Sequence, residues 1–198
     1  MNLSSYAALA VRLANTAAHA PGEPDVLGSP SACAEALGDC LAGPVTRRDL
    51  DVLRHVRAEF TAIFQAAATG EQQAAMDRLN ALLVQFPIQP EMTNHDQSRW
   101  HVHLAAQGSV GDRFAAGAII GVSLTVSGLG VSRLGVCVIA SCPRVFIDAS
   151  PGKSRRYCAE HAAARGNVST LRTQPAQPGA AAVEEAQADP AAATPAAS

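Results

Sequence analysis

Apolar residues recur along this chain with the three-and-four spacing of helices that bury one face. Leu3, Tyr6, Leu9, Ala10 and Leu13 mark the first such stripe and predict a helix within residues 1–20. A loop rich in Pro, Gly and Asp, from Pro21 to Gly28, separates it from a shorter helix expected over Ser29 to Leu41 and ended by Gly43-Pro44. The third stripe is the clearest. Leu50, Leu53, Val56, Phe60, Ile63 and Phe64 share one face, Thr46 stands where an N-cap belongs, and Asp49 three residues on completes the capping signal. Gly70 closes that helix, and Glu71 to Phe86 repeats the pattern through Met76, Leu79, Leu82 and Leu83 before Pro87 stops it. Two long stripes joined by so short a link predict an antiparallel helical pair.

The period then changes. In "SRWHVHLAAQ" Trp100, Val102 and Leu104 alternate with His101 and His103, the two-residue repeat of a strand, here expected in a short strand pair. From Phe114 to Val131 the chain is strongly apolar behind a capping Asp112. Gly117, Gly121, Gly128 and Gly130 break it, and Arg133 follows too soon for a convincing membrane span, so a further core helix is expected. Beyond it "RVFID" alternates as a strand and "ASPGKS" supplies a Pro-Gly turn. Ser154 is placed to cap a helix beginning "RRYCAEHAAAR". After Arg172 the sequence turns to Ala, Pro, Gln and acidic residues, which bury too little apolar surface to order themselves.

Composition narrows the fold class. Hydrophobic residues make up 48% but aromatics only 4%, which implies a core of Leu, Val, Ile and Ala. A chain of 198 residues has room for one core domain and a small accessory module. The expected fold is mainly α (α+β): a helical domain over 1–132 with a short strand pair, a small module over 133–172, and a disordered tail over 173–198. The net charge of −2 conceals an uneven distribution. Residues 1–132 carry eight Lys/Arg against twelve Asp/Glu, residues 133–172 carry seven against two, and residues 173–198 carry three acids alone. The segment charges are −4, +5 and −3, so a cationic module sits inside a nearly neutral protein.

The amino terminus, "MNLSSYAALAVRLANTAAHA", has Arg12 within its apolar stretch and reads as an amphipathic helix, not a secretion signal. With an odd cysteine number, this points to a cytoplasmic protein with reduced thiols, in which close-spaced cysteines are metal-ligand candidates before they are disulfides. Cys137 and Cys142 are spaced C-x4-C, a loop able to turn both sulfurs towards one point. Cys158 and His161 lie three apart on the expected helix and so share a face. A knuckle pair facing a helix pair makes a closed tetrahedral site for a structural Zn2+. A module of this size has too little core to fold alone, and a metal would supply the missing free energy. The competing possibility is that these are buried small hydrophobes.

These residues carry a resemblance. "RLGVCVIASCPRVFIDASPGKSRRYCAEH", with Arg165 and Asn167-Val168 after it, resembles the CGNR zinc finger of bacterial proteins. "LAVRLANTA", "DLDVLRHVRAEFTAIF" and "WHVHL" resemble the ABATE domain that precedes that finger, and together the two cover nearly everything from Ala8 to Arg172. The resemblance implies a stress-responsive transcriptional regulator. It carries the family's first three zinc cysteines onto Cys137, Cys142 and Cys158. The fourth falls on Ala162, and the Cys-Gly-Asn-Arg tetrad is reduced to Ala162-Ala163-Ala164-Arg165. Either the adjacent His161 takes the fourth place, or the finger survives on packing alone.

Arg144, Lys153, Arg155, Arg156, Arg165 and Arg172 cluster around the proposed metal. Arg155 and Arg156 are expected in the first turn of the helix, where the dipole already favours anions and phosphate is a suitable contact, and the resemblance to a transcriptional regulator makes DNA the expected partner. The alternative is a solvated cationic face that pairs with the acidic amino-terminal body, as in a protein-interaction adaptor. His95, Asp96, His101 and His103 raise a second metal or small-molecule pocket as a weaker candidate, and Cys33 with Cys40 a packed seam. Asn15-Thr16, a hallmark of the upstream domain, is assigned only a helix-ending role. The amino-terminal domain is expected to sense a signal or to self-associate. No Gly-rich phosphate loop, H-E-x-x-H or G-x-S-x-G occurs, and nothing asks for an enzyme.

Overall fold

Thr46 and Ser109 each begin a long helix with the same reciprocal device. In the computed structural model, which describes residues 3–18, 22–94, 100–105 and 108–165, the Thr46 hydroxyl accepts from the Asp49 N–H while the Asp49 carboxylate accepts from the Thr46 N–H. Ser109 and Asp112 repeat the arrangement. Asp112, expected to cap its helix, is therefore the third helical residue of the box, and Ser109 is the cap. Asp49 has a second task. Its other oxygen accepts the Gly111 N–H at 2.7 Å, so one buried carboxylate ties together the first turns of both helices. Burial opposes its ionisation, but donation from Ser109, Thr46 and Gly111 outweighs it and holds Asp49 well below the usual carboxylate range.

The elements run α1 (Leu3–Ala14), α2 (Pro30–Leu37), α3 (Arg47–Thr69), α4 (Gln72–Gln85), β1 (Gln89–Thr93), β2 (His101–Ala105), α5 (Val110–Leu129), β3 (Leu134–Val136) and β4 (Val145–Ile147). All six residues of the expected α3 stripe are buried, and Gly70 ends the helix at φ 87°. α4 returns antiparallel along it: Glu59 pairs with Arg78 at 3.0 Å, and His55 meets Gln85 at 3.0 Å. α2 starts on the Ser29 cap as expected but stops at Leu37, and a 3-10 turn over Gly38–Cys40 follows. Cys33 and Cys40 therefore lie on different elements, Cys33 in α2 and Cys40 in the 3-10 turn. Cys33 is buried, and Cys40 takes the Arg12 guanidinium at 2.9 Å.

α5 is the one helix among the described residues long and apolar enough to cross a membrane, by length and composition only, with 50% of its most apolar window buried inside the protein. It packs on α1, α3 and α4, and Phe114, Ala115, Ala118, Ile119 and Val122 enter the common core. Its crossing with α1 depends on the absence of a side chain. A Cβ on Gly121 would lie 2.3 Å from the Ala7 backbone nitrogen, far inside contact distance.

The expected strand is β2, and its antiparallel partner β1 aligns Glu91 with His103 and Thr93 with His101. β1 carries Pro90, which cannot donate to a ladder and gives this strand no alternating signature. Trp100 lies just before β2 and is exposed.

The hairpin that follows residue 132 packs into the core of the helices before it. Leu134 and Val145, from β3 and β4, are buried in the same cluster as Leu13, Phe60 and Phe64. β3 lies against α3 and β4 against α1. Asn15, just past the end of α1, makes the tightest link: its amide donates to the Val145 carbonyl at 3.0 Å and accepts the Val145 N–H at 2.8 Å. A side chain thus copies the pairing of a neighbouring strand. Thr16 ends α1 as expected, through a buried hydroxyl bonded to the Leu13 carbonyl. The tail over 173–198, Arg172, His95 and Asp96 lie outside the described residues.

Candidate metal centre

The β3–β4 hairpin turns through Cys137 to Cys142. Cys137 N–H donates to the Arg144 carbonyl at 2.9 Å, continuing the ladder, and Cys142 N–H closes the turn on the Ile139 carbonyl at 2.8 Å. Both sulfurs are therefore carried on a folded knuckle. The chain after β4 returns beneath it. Asp148, itself buried, accepts from the Ser150 N–H and hydroxyl and from the Arg155 N–H. Those bonds, led by the Ser150 hydroxyl, hold its carboxyl below the usual range despite burial. Val138 N–H reaches the Arg156 carbonyl at 3.1 Å, which fixes the returning segment against the knuckle. Arg133 donates to the Asp148 and Ser150 carbonyls and holds the other side.

A helix then runs over 159–165. It begins later than the sequence suggests: residues 153–156 are non-helical, and Asp148 holds the Arg155 N–H. Cys158 stands at its start, its carbonyl accepting the Ala162 N–H. His161, one turn on, faces the same way. Its Nδ1 lies 3.4 Å from Cys137 Sγ and 3.4 Å from Cys158 Sγ, and Cys142 Sγ lies 3.9 Å from Cys158 Sγ. The four ligand atoms all fall within 4.8 Å of one another.

These distances exclude a disulfide and suit a metal site. A disulfide needs about 2.05 Å between sulfurs, and all five cysteines are free. Tetrahedral zinc, at ~2.3 Å to sulfur and ~2.05 Å to nitrogen, sets S···S edges of about 3.8 Å and S···N edges of about 3.6 Å. The closest edges here, 3.9 and 3.4 Å, fit that figure. Ala162 is exposed, whereas half-buried His161 supplies the facing atom. His161, beside the exposed Ala162, thus stands with the three sulfurs as the fourth possible ligand. The thiols differ in acidity. Burial opposes ionisation of Cys137, but the Cys158 and Ile139 N–H groups and the His161 ring outweigh it and bring that thiol to about 7. Burial pushes the Cys142 thiol up, and the neighbouring Cys137 and Cys158 thiols add to the rise. A bound cation would favour the thiolate form of all three.

The basic residues do not form one free surface. Arg144 pairs with Glu160 at 2.5 Å. Arg155 is outside any helical first turn. Its side chain donates to the Tyr157 and Ile147 carbonyls and stands 5.1 Å over the Phe146 ring. Phe146 in turn lies across Gly135, where a Cβ would come within 2.6 Å of the ring. Arg165 covers Tyr157 at 4.7 Å. Lys153, at φ 49° in the Pro-Gly turn, and Arg156 are exposed, and neither side chain makes an ion pair among the described residues. Asn15 and Arg133, the residues that seat the hairpin, were not among the expected site residues. Their only sequence signal is the Asn-Thr pair for one, and for the other nothing beyond its position before the first strand.

Residues 133–174 match the CGNR zinc finger, and residues 7–127 match ABATE, described as "Putative stress-induced transcription regulator". Both are regulator or zinc-finger types, not enzyme families. No curated protein matches the chain. With more than half its length matched, and the finger following in the expected order, the chain belongs to the ABATE family and carries a CGNR zinc finger behind that domain.

Proposed function

We propose that this protein is a cytoplasmic zinc-dependent transcriptional regulator that contacts DNA through its carboxy-terminal finger. In this reading Cys137, Cys142, Cys158 and His161 hold one structural Zn2+, which leaves no open position for substrate. The helical domain receives a signal or mediates self-association. The observation that supports the metal assignment most is the convergence of three sulfurs and one imidazole nitrogen from two elements within 4.8 Å. The charge of +5 over residues 133–172 favours a phosphate backbone as the partner of the finger. Lys153 and Arg156 are the cations freest to reach phosphate. Arg144 and Arg165 contribute field more than contacts, since each already has an intramolecular partner; Arg155 is held by two carbonyls, and Arg172 follows them in sequence.

Zinc content per chain tests the metal. Wild-type protein is expected to hold close to one ion, Cys158→Ala and His161→Ala much less, and Ala162→Ser to match wild type. Equal, negligible zinc in all four would defeat the assignment. Retention on duplex DNA at increasing salt tests the partner. Lys153→Glu with Arg156→Glu is expected to remove retention while zinc content stays unchanged. Retention that ignores both salt and these substitutions would favour a protein-interaction adaptor instead.

A further inference from the structure

α1, the last turn of α5 and the finger strand β4 enclose a cleft of about 370 Å3. Ala8 and Val11 line it from α1, Thr125 and Leu129 from α5 and Ile147 from β4, and Arg12 and Arg155 complete its charged lining. No acidic side chain lines it. We propose that this cleft binds a small amphipathic monocarboxylate, its apolar body between α1 and α5 and its carboxylate on Arg155.

Size, polarity and charge all lead to that class. The volume lies in the range of small-molecule sites, and at ~30 Å3 for a water-sized group it admits roughly twelve such groups. That is too little for a partner helix, about 10 Å across with its side chains. The walls are aliphatic, and Leu129 is 48% exposed there, so a hydrocarbon body would cover apolar surface now facing water. The two guanidinium groups are not equivalent. Arg12 is already paired with Asp39 at 3.1 Å. Arg155 has no carboxylate in ion-pair range among the described residues. Two carbonyls and the Phe146 ring hold it in place, and its second terminal nitrogen remains available. One uncompensated cation beside an apolar slot matches one negative charge on an apolar body. Because the walls come from both matched segments, such a ligand would also brace the finger against the helical domain.

None of the four possible zinc ligands lines the cleft, so ligand binding there can be read apart from metal and DNA. Titration of the full chain with sodium octanoate, octylamine and sodium acetate, followed by calorimetry, reads both halves of the site. Octanoate is expected to bind, and acetate and octylamine are not. Arg155→Gln should weaken octanoate about tenfold or more. Ala8→Trp, which fills the slot from an exposed position, should abolish binding while zinc content and melting temperature stay unchanged. No octanoate binding, equal binding of the amine, or indifference to Ala8→Trp would each overturn the proposal. So would binding that emerges only when Glu184→Gln and Glu185→Gln are introduced, because the chain's own acidic tail would then be the occupant.

Discussion

Replacing Asn15 by Ala removes the side chain that pairs with both backbone groups of Val145 in β4. Two hydrogen bonds disappear, at 3.0 and 2.8 Å. Each contributes about 1 kcal/mol net, and a bond whose buried partner stays unsatisfied costs up to about 3 kcal/mol instead. Val145 is only 2% exposed, so water cannot readily replace the lost partner. The expected loss is therefore about 2–4 kcal/mol, a large share of the ~5–15 kcal/mol that holds a typical domain together. The Val145 amide reports it directly, since that N–H is the donor to Asn15. Its hydrogen exchange should accelerate by about 30-fold or more, from about 1.4 kcal/mol per factor of ten. Amides in the middle of α3 should follow if the finger and helices unfold together, and lag if the finger undocks first. Asn15→Asp keeps an acceptor for the N–H but sets a carboxylate against the Val145 carbonyl, and should be no better than Ala. An unfolding free energy and a Val145 exchange rate both unchanged in Asn15→Ala would refute the claim that this residue seats the finger.

Other outcomes follow from the same packing. Gly121→Ala should destabilise by about 2–3 kcal/mol in urea denaturation, because the new Cβ meets the α1 backbone at 2.3 Å. Gly128→Ala, with nothing within 4 Å, should instead stabilise by about 0.5–1 kcal/mol through helix propensity. Asp49→Asn should cost about 2–3 kcal/mol near neutral pH, since charge-assisted bonds to Thr46 and Gly111 are weakened. The Asp49 carboxyl is depressed in the folded state, so its contribution is complete above its unfolded value of ~3.9 and drains away as pH falls below that. The gap between wild type and Asp49→Asn should therefore narrow from about pH 4 downward, and a gap that widens on acidification would contradict the assignment. Gly135→Ala should cost about 2 kcal/mol by pushing against the Phe146 ring, and Phe146→Leu should recover part of that loss in the double variant.

Local chemistry alone determined much of this protein. The α3 face, the Thr46–Asp49 box, the stop at Gly70, the return of α4 and the β2 strand are all set by spacing and capping residues within a few positions of each other. The knuckle cysteines and the Cys158–His161 pair were legible for the same reason, since turns and helical faces convert short separations into directions. What the sequence left open was settled by contacts between distant segments. His161 faces the sulfurs while Ala162 faces solvent because of how the 159–165 helix sits beneath the knuckle. That helix starts late, and Asp148, seven residues away, holds the Arg155 N–H. Arg155 becomes a brace on Phe146, and Asn15 reaches Val145 across 130 positions. Periodicity records which face of an element is buried, but not which other element buries it. Hydrogen bonds made at that distance leave no spacing to read, so the seating of the finger on α1 and the cleft beside it exist only in the folded chain.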